Sequence, residues 1–147
     1  MELTASYRFD VPPTALWPLL VDPAVVASCL PGCEALEPVG DDSYRAVLTV
    51  GIAAVTGRYE GTVTLADQRP PHAYRLVVTG KGRAGFVNGE ATLELHEDGG
   101  GTRLDVAGRA EVGGTIARVG QRLLGSASKM MMDRFFDCLR KQTAAPS

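Results

Sequence analysis

The sequence is short of cysteine and of long apolar runs, and each shortage excludes a class of protein. Cys29, Cys33 and Cys138 are the three cysteines among 147 residues, an odd number and too few for a disulfide framework. We therefore expect reduced thiols in a cytoplasmic protein. No stretch approaches the roughly 20 apolar residues of a membrane-spanning helix, and the first residues lack the pattern of a signal peptide. Neither membrane crossing nor secretion is expected.

Histidine and net charge are also low, which argues against metal and nucleic acid as partners. The two histidines, His72 and His96, lie far apart at predicted strand ends. Cys29 and Cys33 have a C-x-x-x-C spacing instead of the C-x-x-C spacing of zinc sites, so small thiols packed around a turn are the structural interpretation. The formal net charge of −2 provides no general attraction to nucleic acid.

The composition is that of one ordinary globular domain. Hydrophobic residues make up 45% of the sequence and charged residues 22%, which argues against a disordered or fibrous chain. A domain of this length buries about 68–70% of the surface that its unfolded chain exposes, so no crosslink or metal is required to hold it. We expect a single domain over residues 1–141 and a frayed tail over residues 142–147.

Apolar and polar residues alternate through most of the chain, which is the period of a half-buried strand. The pattern begins with Leu3, Ala5, Tyr7 and Phe9. Short turns separate the segments that follow, so the pattern predicts an antiparallel meander of about seven strands in all. The six later strands are expected near Ala35–Val39, Tyr44–Ile52, Ala54–Ala66, Ala73–Lys81, Phe86–His96 and Thr102–Val112.

Two short helices are predicted after the first strand, and one long helix is predicted at the end. The first, Ala15–Leu20, is kept short by Pro18, and the second covers Ala24–Leu30. The last begins with Thr115 as its cap and reaches about Lys141. Its apolar residues recur at helical spacing, so one stripe faces the sheet. A sheet with one solvated face needs a cover, which predicts an α+β, helix-grip fold with a curved sheet around this helix.

The residues predicted to face the helix include no acid, histidine, lysine or cysteine, and many of them are small. The absence of such groups disfavours catalysis in a cavity. The small residues either leave space for an apolar ligand, or they bend the sheet and allow the helix to approach closely. The sequence leaves both interpretations open. The small residues are Gly57, Gly61, Gly80, Gly89, Ala91, Gly108 and Ala110.

Four residues of the terminal helix allow two interpretations each. Met132, Phe136 and Leu139 lie off the main apolar stripe, and they either pack beneath the first strand and the short helices or form a docking patch. Arg134 falls near the centre of the stripe. It either pairs with a carboxylate or reaches solvent, or it meets the polar end of a ligand at a cavity mouth.

Several motifs carry a resemblance to a known family. The most specific is Cys29-Leu30-Pro31-Gly32-Cys33-Glu34, and the others are Val11-Pro12 to Trp17, Asp22-Pro23, Gly57-Arg58-Tyr59-Glu60-Gly61, Gly113-Gly114 and Phe135-Phe136. On these motifs the chain resembles, over nearly its whole length, the CoxG family of carbon monoxide dehydrogenase subunits, within the START-like and Bet v 1-like (SRPBCC) superfamily. The resemblance implies a helix-grip fold with an apolar cavity between sheet and terminal helix, and it supplies no catalytic residues.

The resemblance also implies a function. Members of this family accompany molybdenum hydroxylases that oxidise carbon monoxide or related substrates, and they are thought to recruit the enzyme to the membrane or to handle a lipophilic quinone. We therefore expect non-catalytic binding of a lipophilic small molecule, such as a quinone or another isoprenoid, with no covalent cofactor and no metal. Many members continue into a membrane-anchoring segment. The sequence ends at Ser147, so direct anchoring is not expected, and the expected location is the cytoplasm or the inner face of the membrane.

The expected cavity combines residues of the inner face with residues of the terminal helix. Arg134 is expected at its mouth, with Trp17 or Leu30 nearby. The remaining lining residues are expected to be Tyr59, Val87, Leu93, Val106, Leu123, Met131 and Phe135.

Two other functions remain as alternatives. One is an assembly or recruitment factor whose basic terminal helix docks on a partner enzyme or an anionic membrane through Met132 and Phe136. The other is an enzyme of the cyclase or dehydratase type, which would need Tyr59, Tyr74 and Arg134 to converge. A homodimer formed through the sheet edge or the terminal helix is also left open.

Overall fold

A computed structural model describes residues 1–52 and 55–144. The described residues form seven strands and three α-helices, and a short 3-10 helix over Thr115–Val119 precedes the last α-helix. The strands and α-helices, in chain order, are β1 (Glu2–Phe9), α1 (Pro13–Val21), α2 (Pro23–Cys29), β2 (Cys33–Gly40), β3 (Ser43–Val50), β4 (Gly57–Arg69), β5 (Ala73–Gly82), β6 (Gly85–Asp98), β7 (Gly101–Gly113) and α3 (Gln121–Ala144).

The strands form one antiparallel sheet that curves around α3, as the alternation of residues predicts. The strand order is β1-β7-β6-β5-β4-β3-β2, so the strands after β1 form a continuous meander and β1 joins its far edge. The outer face is charged, with ion pairs such as Arg75 to Glu90 at 3.0 Å and Arg45 to Glu60 at 2.8 Å. The predicted helix-grip fold is confirmed. Ala54, where we expected β4 to begin, lies outside the described residues.

The two short helices connect β1 to β2, and each begins at a proline. Pro13 occupies the first turn of α1, where a missing N–H costs nothing, and Leu16 and Leu20 of this helix are buried. The side chain of Asp22 accepts a hydrogen bond from the backbone N–H of Ala24 at 2.9 Å, which caps α2. The prediction of two short helices is therefore confirmed.

One end of the molecule, here called the packed end, contains the aromatic core. The Tyr7 and Phe136 rings lie 4.4 Å apart, and the Trp17 and Tyr74 rings meet edge to face at 5.3 Å. These contacts join α1 and the second half of α3 to the sheet. The buried residues of this cluster are Tyr7, Phe9, Leu16, Trp17, Leu20, Tyr74, Leu93, Leu95, Leu104, Val106, Phe136 and Leu139.

The terminal helix does not begin at Thr115, so this prediction is wrong. Residues Thr115–Val119 form a 3-10 helix without a side-chain cap, and Gly120, with φ of 89°, separates it from α3. The reason is tertiary: the backbone N–H of Ile116 donates to the carbonyl of Ala84 at 2.8 Å, which holds this segment against the turn between β5 and β6. Helix α3 then continues to Ala144, and residues 145–147 of the expected tail lie outside the described residues.

The expectation of three reduced cysteines is also wrong. The Sγ atoms of Cys29 and Cys138 lie 2.13 Å apart in a disulfide that joins the end of α2 to α3 across 109 residues of sequence. Packing of α2 on the second half of α3 brings these residues together, and sequence spacing cannot show this. Cys33 is free and half-buried, and its burial raises the pKa of the thiol. In the described residues, no helix combines the length and apolar character needed to span a membrane.

Candidate functional site

An apolar cavity of about 320 Å³ lies between the sheet and the first half of α3. It occupies the end of the molecule opposite the packed end, here called the cavity end, where β4 begins and β5 finishes. The sheet contributes residues from β3 to β7, and the 3-10 helix and α3 cover them. The apolar lining comprises Met1, Ala46, Leu48, Val50, Val55, Gly61, Val63, Val78, Gly80, Val87, Val112, Ile116, Leu124, Ala127 and Met131.

The polar side chains of the lining already have partners. The hydroxyl of Tyr59 donates to the carbonyl of Val55 at 2.9 Å, and that of Ser128 donates to the carbonyl of Leu124 at 2.8 Å. Glu60 is bound by an arginine, and Thr79 bonds a threonine of β4. Burial raises the pKa of Tyr59, so its hydroxyl remains neutral at physiological pH. The N-terminal ammonium of Met1, which also borders the cavity, donates to the carbonyl of Ala110 at 2.9 Å. The polar groups of the lining are therefore engaged by protein partners within the described residues, and the mainly apolar surface suits an apolar molecule.

The glycines of the inner face differ in what surrounds them. A Cβ at Gly61 would lie 1.7 Å from the carbonyl oxygen of Thr79, and one at Gly108 would lie 3.0 Å from the Cβ of Ala91. At these positions glycine permits close approach of the neighbouring strand, and the atoms that a Cβ would meet belong to the sheet and not to α3. A Cβ at Gly80 would meet no atom within 4 Å, because Gly80 borders the cavity. At this position the small residue leaves empty space.

The structure divides the expected lining residues between the two ends of the molecule. Tyr59, Val87 and Met131 border the cavity. The other inward-facing residues that we expected there lie elsewhere, because they occupy the halves of their strands and helices that meet at the packed end. Leu93, Val106 and Trp17 belong to the aromatic core, and Phe135 packs against it.

Three further expected site residues lie outside the cavity lining. Leu123 is 51% exposed, and its neighbour Leu124 lines the cavity instead. Arg134 is exposed on the outer surface of α3, so neither its expected place at the cavity mouth nor pairing with a carboxylate is observed in the described residues. Because α3 begins only after Gly120, its residues face directions different from those in a continuous helix that starts at Thr115. Leu30 is half-buried after α2 and does not border the cavity.

The lining includes residues of β3 that the sequence analysis did not single out. Ala46, Leu48 and Val50 face the cavity from one side of this strand. They alternate with Val47 and Thr49, so the same two-residue period could have identified them as inner-face residues. Ile116 could not have been assigned in this way, because it lies in the 3-10 helix.

The residues off the apolar stripe of α3 belong to the core. Phe136 is 4% exposed, Leu139 is fully buried, and Met132 packs against the same cluster. They lie beneath β1 and the short helices, which was one of the two interpretations. A docking patch formed by Met132 and Phe136 is therefore excluded.

The arrangement required for the enzymatic alternative is not present. Tyr74 is buried against Trp17 at the packed end, and this burial raises the pKa of its hydroxyl. Tyr59 borders the cavity, and Arg134 lies on the outside of α3. The three residues thus do not converge. Among the described residues, no group of three histidine, cysteine or acidic side chains is placed to hold a metal ion.

Comparisons with known proteins agree with this fold. The family model for the carbon monoxide dehydrogenase subunit CoxG matches residues 6–144. A conserved protein from Geobacillus kaustophilus is similar in structure, with a TM-score of 0.95, 37% identity, and coverage of 98% of this chain and 95% of that chain. The comparison with curated proteins gave no match.

Two more distant structures share the fold alone. The protein TTHA0849 from Thermus thermophilus has a TM-score of 0.72 at 18% identity, with 100% of each chain covered. Ara h 8.0201 has a TM-score of 0.74 at 13% identity, with 99% of each chain covered.

Proposed function

The chain belongs to the CoxG family of carbon monoxide dehydrogenase subunits, and we propose that it binds a lipophilic small molecule in the apolar cavity. Membership assigns an accessory, ligand-binding role at the level of the family, and it agrees with our expectation that the chain is not an enzyme. The observation that carries the proposal is a cavity of about 320 Å³ whose polar side chains, in the part of the chain described, are all engaged by protein partners.

The volume of the cavity supports a ligand with a compact ring and a protruding tail. Small-molecule sites usually measure about 300–1,000 Å³, so this one is at the lower limit. At about 30 Å³ per water molecule, the space equals roughly ten waters. A quinone ring system fits within this volume, whereas a long isoprenoid tail exceeds it and would extend outside the cavity. We therefore propose a quinone or another isoprenoid as the ligand.

The partner in this proposal is a molybdenum hydroxylase of the carbon monoxide dehydrogenase type. The family description associates its members with that enzyme, and a protein that carries a lipophilic molecule without transforming it serves another catalyst. Such a carrier exchanges its ligand with lipid, so the proposal includes a location at the membrane surface. Co-purification of the hydroxylase with tagged protein from native cells tests the partnership, and recovery without the enzyme would contradict it.

Mass spectrometry of an organic extract tests ligand binding directly. The protein is purified from its native cells without detergent, and the extract is compared with that of the Gly80→Leu variant, whose new side chain would extend into the cavity. Gly125→Leu is the matched control, because a Cβ at Gly125 also meets no atom within 4 Å but the residue does not border the cavity. We expect a stoichiometric lipophilic species from wild type and Gly125→Leu, and its loss from Gly80→Leu. An empty wild-type extract, together with no thermal shift on adding quinones, would contradict the proposal.

A further inference from the structure

Polar residues on the solvent side of α3 form a line whose first half is basic and whose second half is acidic. The line consists of Arg122, Ser126, Lys129, Asp133 and Asp137. Successive members are three or four residues apart, so they lie along one side of the helix. All five are at least partly exposed to solvent, and this line is here called the α3 outer face.

Two features of this order disfavour the isolated helix. Arg122 is the second residue of α3, and the first turn contains no acidic residue, so its charge lies beside the positive end of the helix dipole. Lys129 precedes Asp133 by four residues and bonds it at 2.6 Å, which is the less favourable direction for such a pair. In the described part of the chain, Arg122 forms no ion pair. Its charge is therefore available to a carboxylate of another molecule.

A second α3 that runs in the opposite direction matches the order of charges. With the twofold axis between residues 129 and 130, Arg122 stands opposite Asp137 of the second copy. Ser126 then stands opposite Asp133 of the second copy and can donate its hydroxyl to that carboxylate. In a twofold interface each such pair occurs twice. Residues 122 and 137 are about 22 Å apart along the helix, so the pairs are distributed over most of the contact.

The same side of α3 supplies an apolar centre for this contact. Leu123 is 51% exposed and Met130 41%, and both flank a shallow groove on the outside of the helix or lie beside it. Met130 lies next to the twofold axis, so the two copies of this side chain would meet and leave water. Arg134 is on the same flank, where its aliphatic stem would cover Leu123 of the second copy. An apolar centre with a polar rim is the usual composition of a specific interface.

The two edges of the sheet are less suited to a second copy. At β1, the Nε of Arg140 donates to the carbonyl of Arg8 at 3.1 Å, so a side chain already occupies an acceptor of this strand. At the other edge, β2 contains Pro38, which has no N–H, and its register with β3 shifts between Pro38 and Gly40. Such features oppose the extension of a sheet. Of the two surfaces that the sequence left open for a homodimer, the structure therefore favours the helix.

We propose that the α3 outer face binds a second copy of this chain, with the two helices antiparallel across a twofold axis. The occupant is a second copy because this face is complementary to itself when it is turned around. One helix from each copy makes a small interface, and interfaces below about 1,200 Å² belong to weak complexes. We therefore expect a Kd of about 10–100 μM. The dimer does not depend on the ligand, so its test is independent of the organic extract.

Sedimentation equilibrium of charge-reversed variants tests both the surface and its direction. Arg122→Asp and Asp137→Arg each place two pairs of like charges in the interface and should raise the Kd at least about tenfold. An equimolar mixture of the two variants should dimerise again, because each changed residue then faces the opposite charge in the other variant. The matched control Arg69→Asp makes the same change of charge at an exposed arginine of β4, away from α3, and should leave the Kd within about twofold of wild type.

Met130→Ser tests the apolar centre at constant charge. We expect it to raise the Kd several-fold, while its thermal unfolding stays close to wild type because Met130 is 41% exposed. Added salt should weaken the wild-type dimer. A wild-type chain that is monomeric at roughly 1 mM, or a dimer whose Kd is the same in Arg122→Asp and Met130→Ser as in wild type, would overturn the proposal. A mixture of the two charge-reversed variants that stays monomeric would overturn the antiparallel arrangement, and with it the proposal.

Discussion

Replacement of Gly80 by leucine distinguishes an empty cavity from a packed interior. A Cβ at Gly80 would meet no atom within 4 Å, and the residue borders the cavity. The leucine side chain would therefore extend into free space without displacing its neighbours. Its four carbon atoms would occupy about a third of a space that equals roughly ten water molecules.

The expected change in stability can be worked from this geometry. Burial of four carbon atoms contributes about 0.8 kcal/mol each, or roughly 3 kcal/mol at most, and lost rotamer freedom opposes it by about 0.5–1 kcal/mol. Replacing glycine within a strand adds up to about 1 kcal/mol. We expect a gain of about 1–3 kcal/mol in the free energy of unfolding, which corresponds to a rise in Tm of about 2–10 °C. Affinity for a quinone should fall at least about tenfold, because the side chain takes the ligand's place.

Gly108→Leu is the control at a position of close packing. A Cβ there would lie 3.0 Å from the Cβ of Ala91 and 3.0 Å from the carbonyl oxygen of Glu90, so overpacking should cost about 1–3 kcal/mol. Urea and thermal unfolding measure both variants, and titration with a soluble naphthoquinone measures binding. A Gly80→Leu protein destabilised as much as Gly108→Leu, or one that retains wild-type affinity, would refute the reasoning.

Three further predictions concern the packed end. Cys138→Ser should lower the free energy of unfolding by about 2–4 kcal/mol, because the disulfide closes a loop of 109 residues; urea unfolding with and without reductant measures this, and the variant should not respond to reductant. Phe136→Ala should cost about 3–5 kcal/mol in the same assay, since the ring is 4% exposed; a loss below about 1 kcal/mol would contradict its place in the core. Hydrogen bonds from Lys129 and Tyr7 lower the pKa of Asp133 in the folded protein. This carboxylate therefore stabilises the fold at pH values above its unfolded pKa of about 3.9. The contribution is lost as the pH falls through the lower pKa of the folded state. Tyr7→Phe should raise the folded pKa of Asp133 in an NMR titration, and an unchanged pKa would contradict the hydrogen bond.

The order of the strands and the face that each presents could be predicted because both depend on local sequence. Tyr7 and Phe9 alternate with polar residues, and both are buried. Successive strands joined by short turns pair antiparallel, because parallel pairing needs a long crossover connection. The start of the terminal helix could not be found in this way. Ile116 and Val119 continue the helical spacing of the residues after Gly120, and the break depends on a contact with Ala84 that is distant in sequence.

The site was harder to predict than the fold because alternation identifies the inner face but not the position along each strand. Val87 and Leu93 both face inward from β6, yet Val87 borders the cavity and Leu93 lies in the aromatic core. The difference depends on where the helix contacts the sheet, which is a property of the whole domain. The pairing of Cys29 with Cys138 could not be predicted from the sequence for the same reason, since only the packing of α2 on α3 brings them together.

The two halves of α3 differ in their contacts: the second half packs in the core, and the first half covers the cavity. The second half is fixed by the disulfide, by the fully buried Leu139, by the stacking of Phe136 on Tyr7, and by a 3.1 Å hydrogen bond from Arg140 to the carbonyl of Arg8. The first half rests on a cavity, so fewer contacts hold it. Segments with fewer buried contacts open at lower free energy than the core does, so we expect the first half of α3 to open before the packed end does. The contacts of the packed end offset those that are missing around the cavity, so a cavity and a stable domain are compatible.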